Sequence, residues 1–162
     1  MVDEQQTIRI GIAEGAILTG PGTITTTGLG SCIGLVLFDV IDHVAGMVHV
    51  MLPESPSPSP ALPQKYADTG IRWLYENVLE AGANRARLKA KYAGGSQMFR
   101  GLQTEALRIG DRNIAAVAEH LSQLHIPIVN FDVGGSVGRT IRFELPSRAL
   151  HIRTARGEER SI

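Results

Sequence analysis

The sequence contains a single cysteine, Cys32, among 162 residues. A lone thiol forms no internal disulfide, so the fold does not rest on oxidation and a reducing cytosol is its simplest home. There is no excess charge of either sign: Lys+Arg and Asp+Glu number 16 each, for a formal net charge of zero. The electrostatic footprint of a nucleic-acid binder, or of a protein held on an anionic membrane, is therefore missing. No apolar run approaches the roughly 18 residues of a membrane-spanning helix. The opening residues, Met1-Val2-Asp3-Glu4-Gln5-Gln6, lack the basic-then-apolar order of a secretory signal. His43, His49, His120, His125 and His151 show no metal-ligand spacing, and one cysteine supplies no thiolate cluster. Neither an internal repeat nor a second domain is visible. These absences point to one cytoplasmic domain over residues 1–162, with no metal, no nucleic-acid partner and no direct membrane insertion.

What is present is globular. Apolar residues at 43% and charged residues at 20% suit a folded chain with a sizeable core. Thr7 to Ile12 alternates with period two and predicts a strand; Thr23 to Thr27, after the Pro21-Gly22 turn, is β-branched and predicts another. Gly28-Leu29-Gly30 is expected to interrupt it. Cys32 to Phe38 and Val44 to Met51 are continuous apolar runs, read as an antiparallel hairpin buried on both faces. The Ser-Pro repeat from Ser55 to Pro60 cannot join a sheet interior and is read as a connecting loop.

Helical spacing of Ile71, Leu74, Tyr75 and Val78 predicts a helix over 65–81, ended by Gly82. Arg85 to Tyr92 alternates basic and apolar residues, which predicts a strand with one wet face. A second helix is expected from a cap at Asp111 to about Leu124. Ile128 to Val133, Thr140 to Glu144 and Leu150 to Arg153 read as short strands, and the charged tail from Ala155 as frayed. Strands outnumber helices without a repeated βαβ rhythm. The expected class is α+β, with stacked sheet and helix layers.

A cysteine beside an apolar strand is most often a small buried hydrophobe. Two features favour chemistry here. Gly28, Gly30 and Ser31 form a turn whose N–H groups could receive an oxyanion. The second feature is His49, alone among apolar residues on the next strand, where an unpaired polar group costs about 1–3 kcal/mol. Pairing the hairpin with Asp39 opposite Val44 sets His49 against Gly34, which leaves room for the ring. Cys32 and His49 then become same-face diagonal neighbours about 7 Å apart. A slip of one residue would separate them.

An imidazole on that face can hold the thiol as its nucleophilic thiolate and return a proton to a leaving amine. A third group usually fixes the histidine tautomer. Thr25, Thr26 and Thr27 are the nearest candidates, and patterning does not choose among them. Gly28-Leu29-Gly30 is not a dinucleotide fingerprint, because Ile33 replaces the third glycine and a strand follows. Asp132, before Gly134-Gly135, reads as turn chemistry.

Six blocks occur in one order: Gly28-Leu29-Gly30-Ser31-Cys32, His49-Val50-Met51-Leu52-Pro53, Lys65-Tyr66-Ala67-Asp68, Ala93-Gly94-Gly95-Ser96-Gln97-Met98-Phe99, Ile109-Gly110-Asp111-Arg112-Asn113 and Asp132-Val133-Gly134-Gly135. Together they resemble the CheD family of chemoreceptor glutamine deamidases. The resemblance implies a fold similar to bacterial toxin deamidases, a layered sandwich of mixed and antiparallel sheets with helices on one side. It implies a protein-glutamine glutaminase of chemotaxis, with a Cys–His–Thr triad on Cys32, His49 and Thr26, backbone oxyanion donors at Ser31 and Cys32, and no cofactor. Gly94, Gly95 and Ser96 become candidate substrate-binding residues.

The implied substrate is the cytoplasmic helical domain of a chemoreceptor. The implied partner is a CheC-type phosphatase, which gives the competing reading of a binding module, with or without receptor methylesterase activity. The stripe Arg85, Arg87, Lys89 and Lys91 is the contact surface that reading would use. Two departures from the family pattern stand out. Ser147-Arg148 replaces an expected Ser-Gly or Thr-Gly, and the Ser-Pro loop could alter which glutamines are reached.

Overall fold

The computed structural model describes residues 5–97 and 108–162. Among the described residues, the strands run β1 (Gln6–Ile10), β2 (Gly15–Thr19), β3 (Gly22–Leu29), β4 (Ile33–Asp39), β5 (Val44–Val50), β6 (Leu88–Gly94), β7 (Ile128–Val133), β8 (Arg139–Leu145), β9 (Leu150–Thr154) and β10 (Glu159–Ser161). Helix α1 (Ala67–Glu80) lies between β5 and β6, and α2 (Ile109–Gln123) between β6 and β7. The strands form two open, mixed sheets, with orders β1-β3-β8-β9-β10 and β2-β5-β4-β6-β7. Only β1·β3 and β6·β7 pair parallel among the described strands. The class is α+β, as expected.

The two uninterrupted apolar runs explain the layering. Every residue of β4 and β5 is buried, because their sheet is covered on both faces. Ile33, Leu35 and Leu37 turn toward α1 and α2, where Ile71, Leu74, Val78, Val117 and Leu121 meet them. Val36, Phe38, Ala45 and Met47 turn the other way, against Ile24, Ile141 and Phe143 of the outer sheet. Burying one such side chain stabilises the fold by about 1.5–3 kcal/mol. The result is three layers: outer sheet, central sheet, helices.

The hairpin register is the expected one, with Gly34 opposite His49 and Ile33 opposite Val50. The role of Gly34 is different. A Cβ there would collide with Ile141 of the facing sheet and press on Leu29, so the missing side chain makes room for the outer sheet, not for the imidazole.

Other expectations need correction. Gly15–Thr19 forms a strand that the sequence reading passed over, and Gly15 is small because the Trp73 ring lies against it. The third strand continues to Leu29, with a register shift between Thr26 and Leu29 in place of a full break. Asp111 lies inside the first turn of α2, whose cap position is Arg108 without a side-chain cap. The tail expected to fray forms β10. It pairs with β9, and Leu150 and Ile162 exchange two backbone hydrogen bonds of 2.9 Å.

The basic stripe does not form one wet face. Arg85–Arg87 is a 3-10 turn, and Arg87 reaches back to Asp39 and Asp42. The Lys91 ammonium donates to the carbonyls of Arg148 and Ile162. Of the stripe's charges, Arg87 braces the closed end of the β4–β5 hairpin and Arg85 reaches Tyr75 of α1.

Candidate active site

The chain passes from the outer sheet to the central sheet in three residues, Gly30 to Cys32, between the end of β3 and the start of β4. Cys32 therefore sits at the open end of the β4–β5 hairpin, inside the apolar layer between the sheets, and is 9% exposed. His49 lies near the end of β5 and is fully buried, and Thr26 on β3 is almost so. Thr26 and His49 belong to different sheets. The inward alternation of β3 aims the threonine across the gap, and its Oγ1 meets His49 Nδ1 at 2.7 Å.

The same hydroxyl donates to the Ile10 carbonyl at 2.9 Å. A threonine has one proton to give, so toward the ring it accepts. This assigns the hydrogen of the neutral imidazole to Nδ1 and leaves Nε2 with its lone pair. His49 Nε2 is buried and has no hydrogen-bond partner among the described residues. Cys32 shares the inter-sheet layer with His49, but no hydrogen bond joins its thiol to Nε2.

Burial governs both protonation states. It pushes His49 down to about 4 from 6.5. It pushes the Cys32 thiol up, an effect partly offset by the residue's own backbone N–H beside the sulfur. At neutral pH both groups are therefore uncharged. The unliganded site thus holds a neutral thiol and a neutral imidazole, where the sequence reading expected a stored thiolate.

The Gly94-Gly95-Ser96 segment packs behind the Gly30–Cys32 turn instead of lining an open surface. All three residues are buried. The Gly95 N–H donates to the Cys32 carbonyl and the Ser96 N–H to the Gly30 carbonyl. Gly94 has φ of 123° and lies so close to the Cys32 carbonyl that a Cβ would overlap it. Met98 and Phe99 of the same block lie outside the described residues.

Two further side chains complete this backing. Arg139, at the start of β8, donates to the Gly94 carbonyl, Ser96 Oγ and Asp132, so it ties the sheets together behind Cys32. Asp132, read from the sequence as turn chemistry, instead lies in β7 and pairs with Arg139 and Arg160. Asn113, buried on α2, donates through Nδ2 to the Ser31 and Met51 carbonyls, both at 2.9 Å. The sequence reading assigned neither a role. The signal was there: Arg139 stands in the inward period of Ile141 and Phe143, and Asn113 in the stripe of Val117 and Leu121.

The loop after β5 is held by Ser55, whose N–H donates to Asp68 of α1. With α1 and α2 it lines a cleft of about 610 Å³ whose walls include Pro58, Trp73 and His120, and none of the three candidate residues.

Residues 51–154 match the profile of the family described as CheD chemotactic sensory transduction. The chain is 49% identical over 162 residues to the chemoreceptor glutamine deamidase CheD of Bacillus subtilis, covering 98% of each chain. The chain belongs to the CheD family. Similar relatives bearing that same description include those of Bacillus licheniformis, 48% identical over 94% of this chain and 93% of the relative, and Halalkalibacterium halodurans, 46% identical over 96% and 98%. No helix among the described residues is long and apolar enough to cross a membrane.

Proposed function

We propose that this chain hydrolyses the side-chain amide of glutamine residues on chemoreceptors, giving glutamate and ammonia. The observation that carries the reading is the 2.7 Å contact between Thr26 Oγ1 and His49 Nδ1. It holds the imidazole in the tautomer whose free nitrogen can act as a base, in the layer that also contains the chain's one thiol.

In this mechanism the Cys32 sulfur bonds to the amide carbon while its proton passes to His49 Nε2. The carbonyl π pair moves to oxygen, and the N–H groups of Ser31 and Cys32 receive the negative charge. Collapse breaks the C–N bond, and the proton on Nε2 leaves with ammonia. Water then attacks the thioester, His49 takes one of its protons, and the C–S bond breaks to restore the thiol and release glutamate. Thr26 holds Nδ1–H throughout. Burial favours this concerted proton transfer over a resting ion pair, because both charged forms are disfavoured in the unliganded site.

Incubation of the protein with a chemoreceptor cytoplasmic fragment is expected to raise the fragment mass by roughly one dalton per converted glutamine. Cys32→Ala is expected to abolish the gain. Conversion that persists undiminished in that variant would refute the mechanism.

A further inference from the structure

Oxyanion stabilisation requires backbone N–H groups to point at the developing charge before it forms. A planar trans peptide directs its C=O and N–H to opposite sides, so holding the carbonyl aims the amide. Two successive peptides at the nucleophile turn are held in this way. The Gly30–Ser31 carbonyl accepts from the Ser96 N–H at 2.8 Å. The Ser31–Cys32 carbonyl accepts from Asn113 Nδ2 at 2.9 Å. Neither the Ser31 nor the Cys32 N–H donates to a backbone acceptor among the described residues. That of Cys32 lies beside its own sulfur, where a reacting carbonyl must come.

The Asn113 side chain is committed to this task. Its two Nδ2 hydrogens go to the Ser31 and Met51 carbonyls, the second lying two residues beyond His49. The amide cannot be turned over, because that would set Oδ1 against two carbonyl oxygens. In the observed orientation Oδ1 is buried without a partner among the described residues, a cost that an apolar residue would avoid.

We propose that Asn113 is the positioning residue of the oxyanion hole: it pins the Ser31–Cys32 peptide so that the Cys32 N–H faces the substrate carbonyl. Without that bond the peptide is free to flip, which would turn a carbonyl toward the developing charge and remove a donor. The proposal rests on the deamidase reading and adds a residue from α2 that does not itself touch substrate.

Two reactions of the same thiol test it. Amide hydrolysis passes through an oxyanion; alkylation by iodoacetamide does not. Asn113→Ala and Asn113→Asp are expected to lower kcat for deamidation by about 10²–10³-fold, the usual worth of one donor, with KM little changed. The alkylation rate of Cys32 at the same pH should stay within about twofold of wild type, since no oxyanion hole is involved. A parallel fall in both reactions, or deamidation near the wild-type rate, overturns the proposal.

The wild-type protein supplies an arm that does not depend on a variant folding. A receptor peptide carrying a γ-aldehyde in place of the glutamine amide adds the Cys32 sulfur at its carbonyl carbon, and the thiol proton moves to oxygen through His49. In a crystal structure of that adduct the oxygen should lie within hydrogen-bond distance of the Cys32 nitrogen, with the Ser31 carbonyl still on Asn113. An oxygen directed elsewhere overturns the proposal. Failure of wild type to deamidate receptor overturns the enzyme reading and this one together; activity in wild type that Asn113 variants retain overturns this one alone.

Discussion

The Thr26 hydroxyl has two partners and one proton, and that shortage decides the chemistry of His49. Replacing the threonine with valine keeps its shape and removes the oxygen. Nδ1–H is then left buried without an acceptor, and the ring can adopt the other tautomer. Thr26→Val is expected to lower kcat about 10²-fold, within the range general-base catalysis contributes, while Thr26→Ser keeps most of the activity. Steady-state deamidation rates for the pair check this. Patterning could place a threonine near His49 but not select among Thr25, Thr26 and Thr27, because selection depends on which residues of β3 face inward. Thr26 faces the central sheet, whereas Thr25 lies on the opposite side, next to Arg142 and His151. The protonation states were illegible for a related reason. Burial by a second sheet, which the sequence does not display, makes both groups neutral.

At the scale of elements, the β4–β5 hairpin was legible because its two runs have one compact connection and one apolar register. Its closed end was not, since long-range side chains hold it. Asp39 is fully buried at the last position of β4. Burial alone would raise its carboxyl, yet Arg87 and the N–H groups of Asn84, Ile41 and Asp42 hold it well below the usual carboxylate range. Arg148 closes the same end from the outer sheet, donating to the carbonyls of Asp39, Ile41, Asp42 and Pro146. Its φ of 62° is a glycine conformation, which accounts for the Ser-Gly or Thr-Gly expected there. The arginine therefore trades backbone strain for four hydrogen bonds. Arg148→Ala is expected to be destabilising, keeping the strain and losing the bonds. Arg148→Gly should be less so by about 1 kcal/mol, read from urea midpoints.

Across the whole molecule, the buried imidazole couples stability to acid. The folded pKa of about 4 lies below the ordinary 6.5, so between these values the unfolded chain binds a proton that the folded chain refuses. Stability is fully present above pH 6.5 and falls as pH drops toward 4, by roughly 3 kcal/mol for this group. Asp39, whose carboxyl is held well below the usual carboxylate range, loses its contribution at lower pH and does so with or without His49. His49→Gln should therefore show a shallower loss of urea stability between pH 6.5 and 4 than wild type. Equal slopes would count against a buried neutral histidine. The layered class itself was readable from strand count and order, but β2 and β10 were not. Gly15–Thr19 is short and opens on small residues, and Glu159–Ser161 is exposed and polar, so each is a strand only because a neighbour supplies hydrogen bonds.

The three-residue crossing from β3 to β4 is at once a joint between sheets and the seat of the thiol. Surface connections elsewhere in such folds drift in length over evolutionary time, since their backbones answer only to solvent. This one answers on every side: Gly30, Ser31 and Cys32 each have a carbonyl engaged by a different residue, namely Ser96, Asn113 and Gly95. An added residue would break that correspondence while leaving both sheets able to form. This short crossing is thus a part of the chain with little freedom to change length, and variation in length is left to loops such as the Ser-Pro segment that do not carry the thiol.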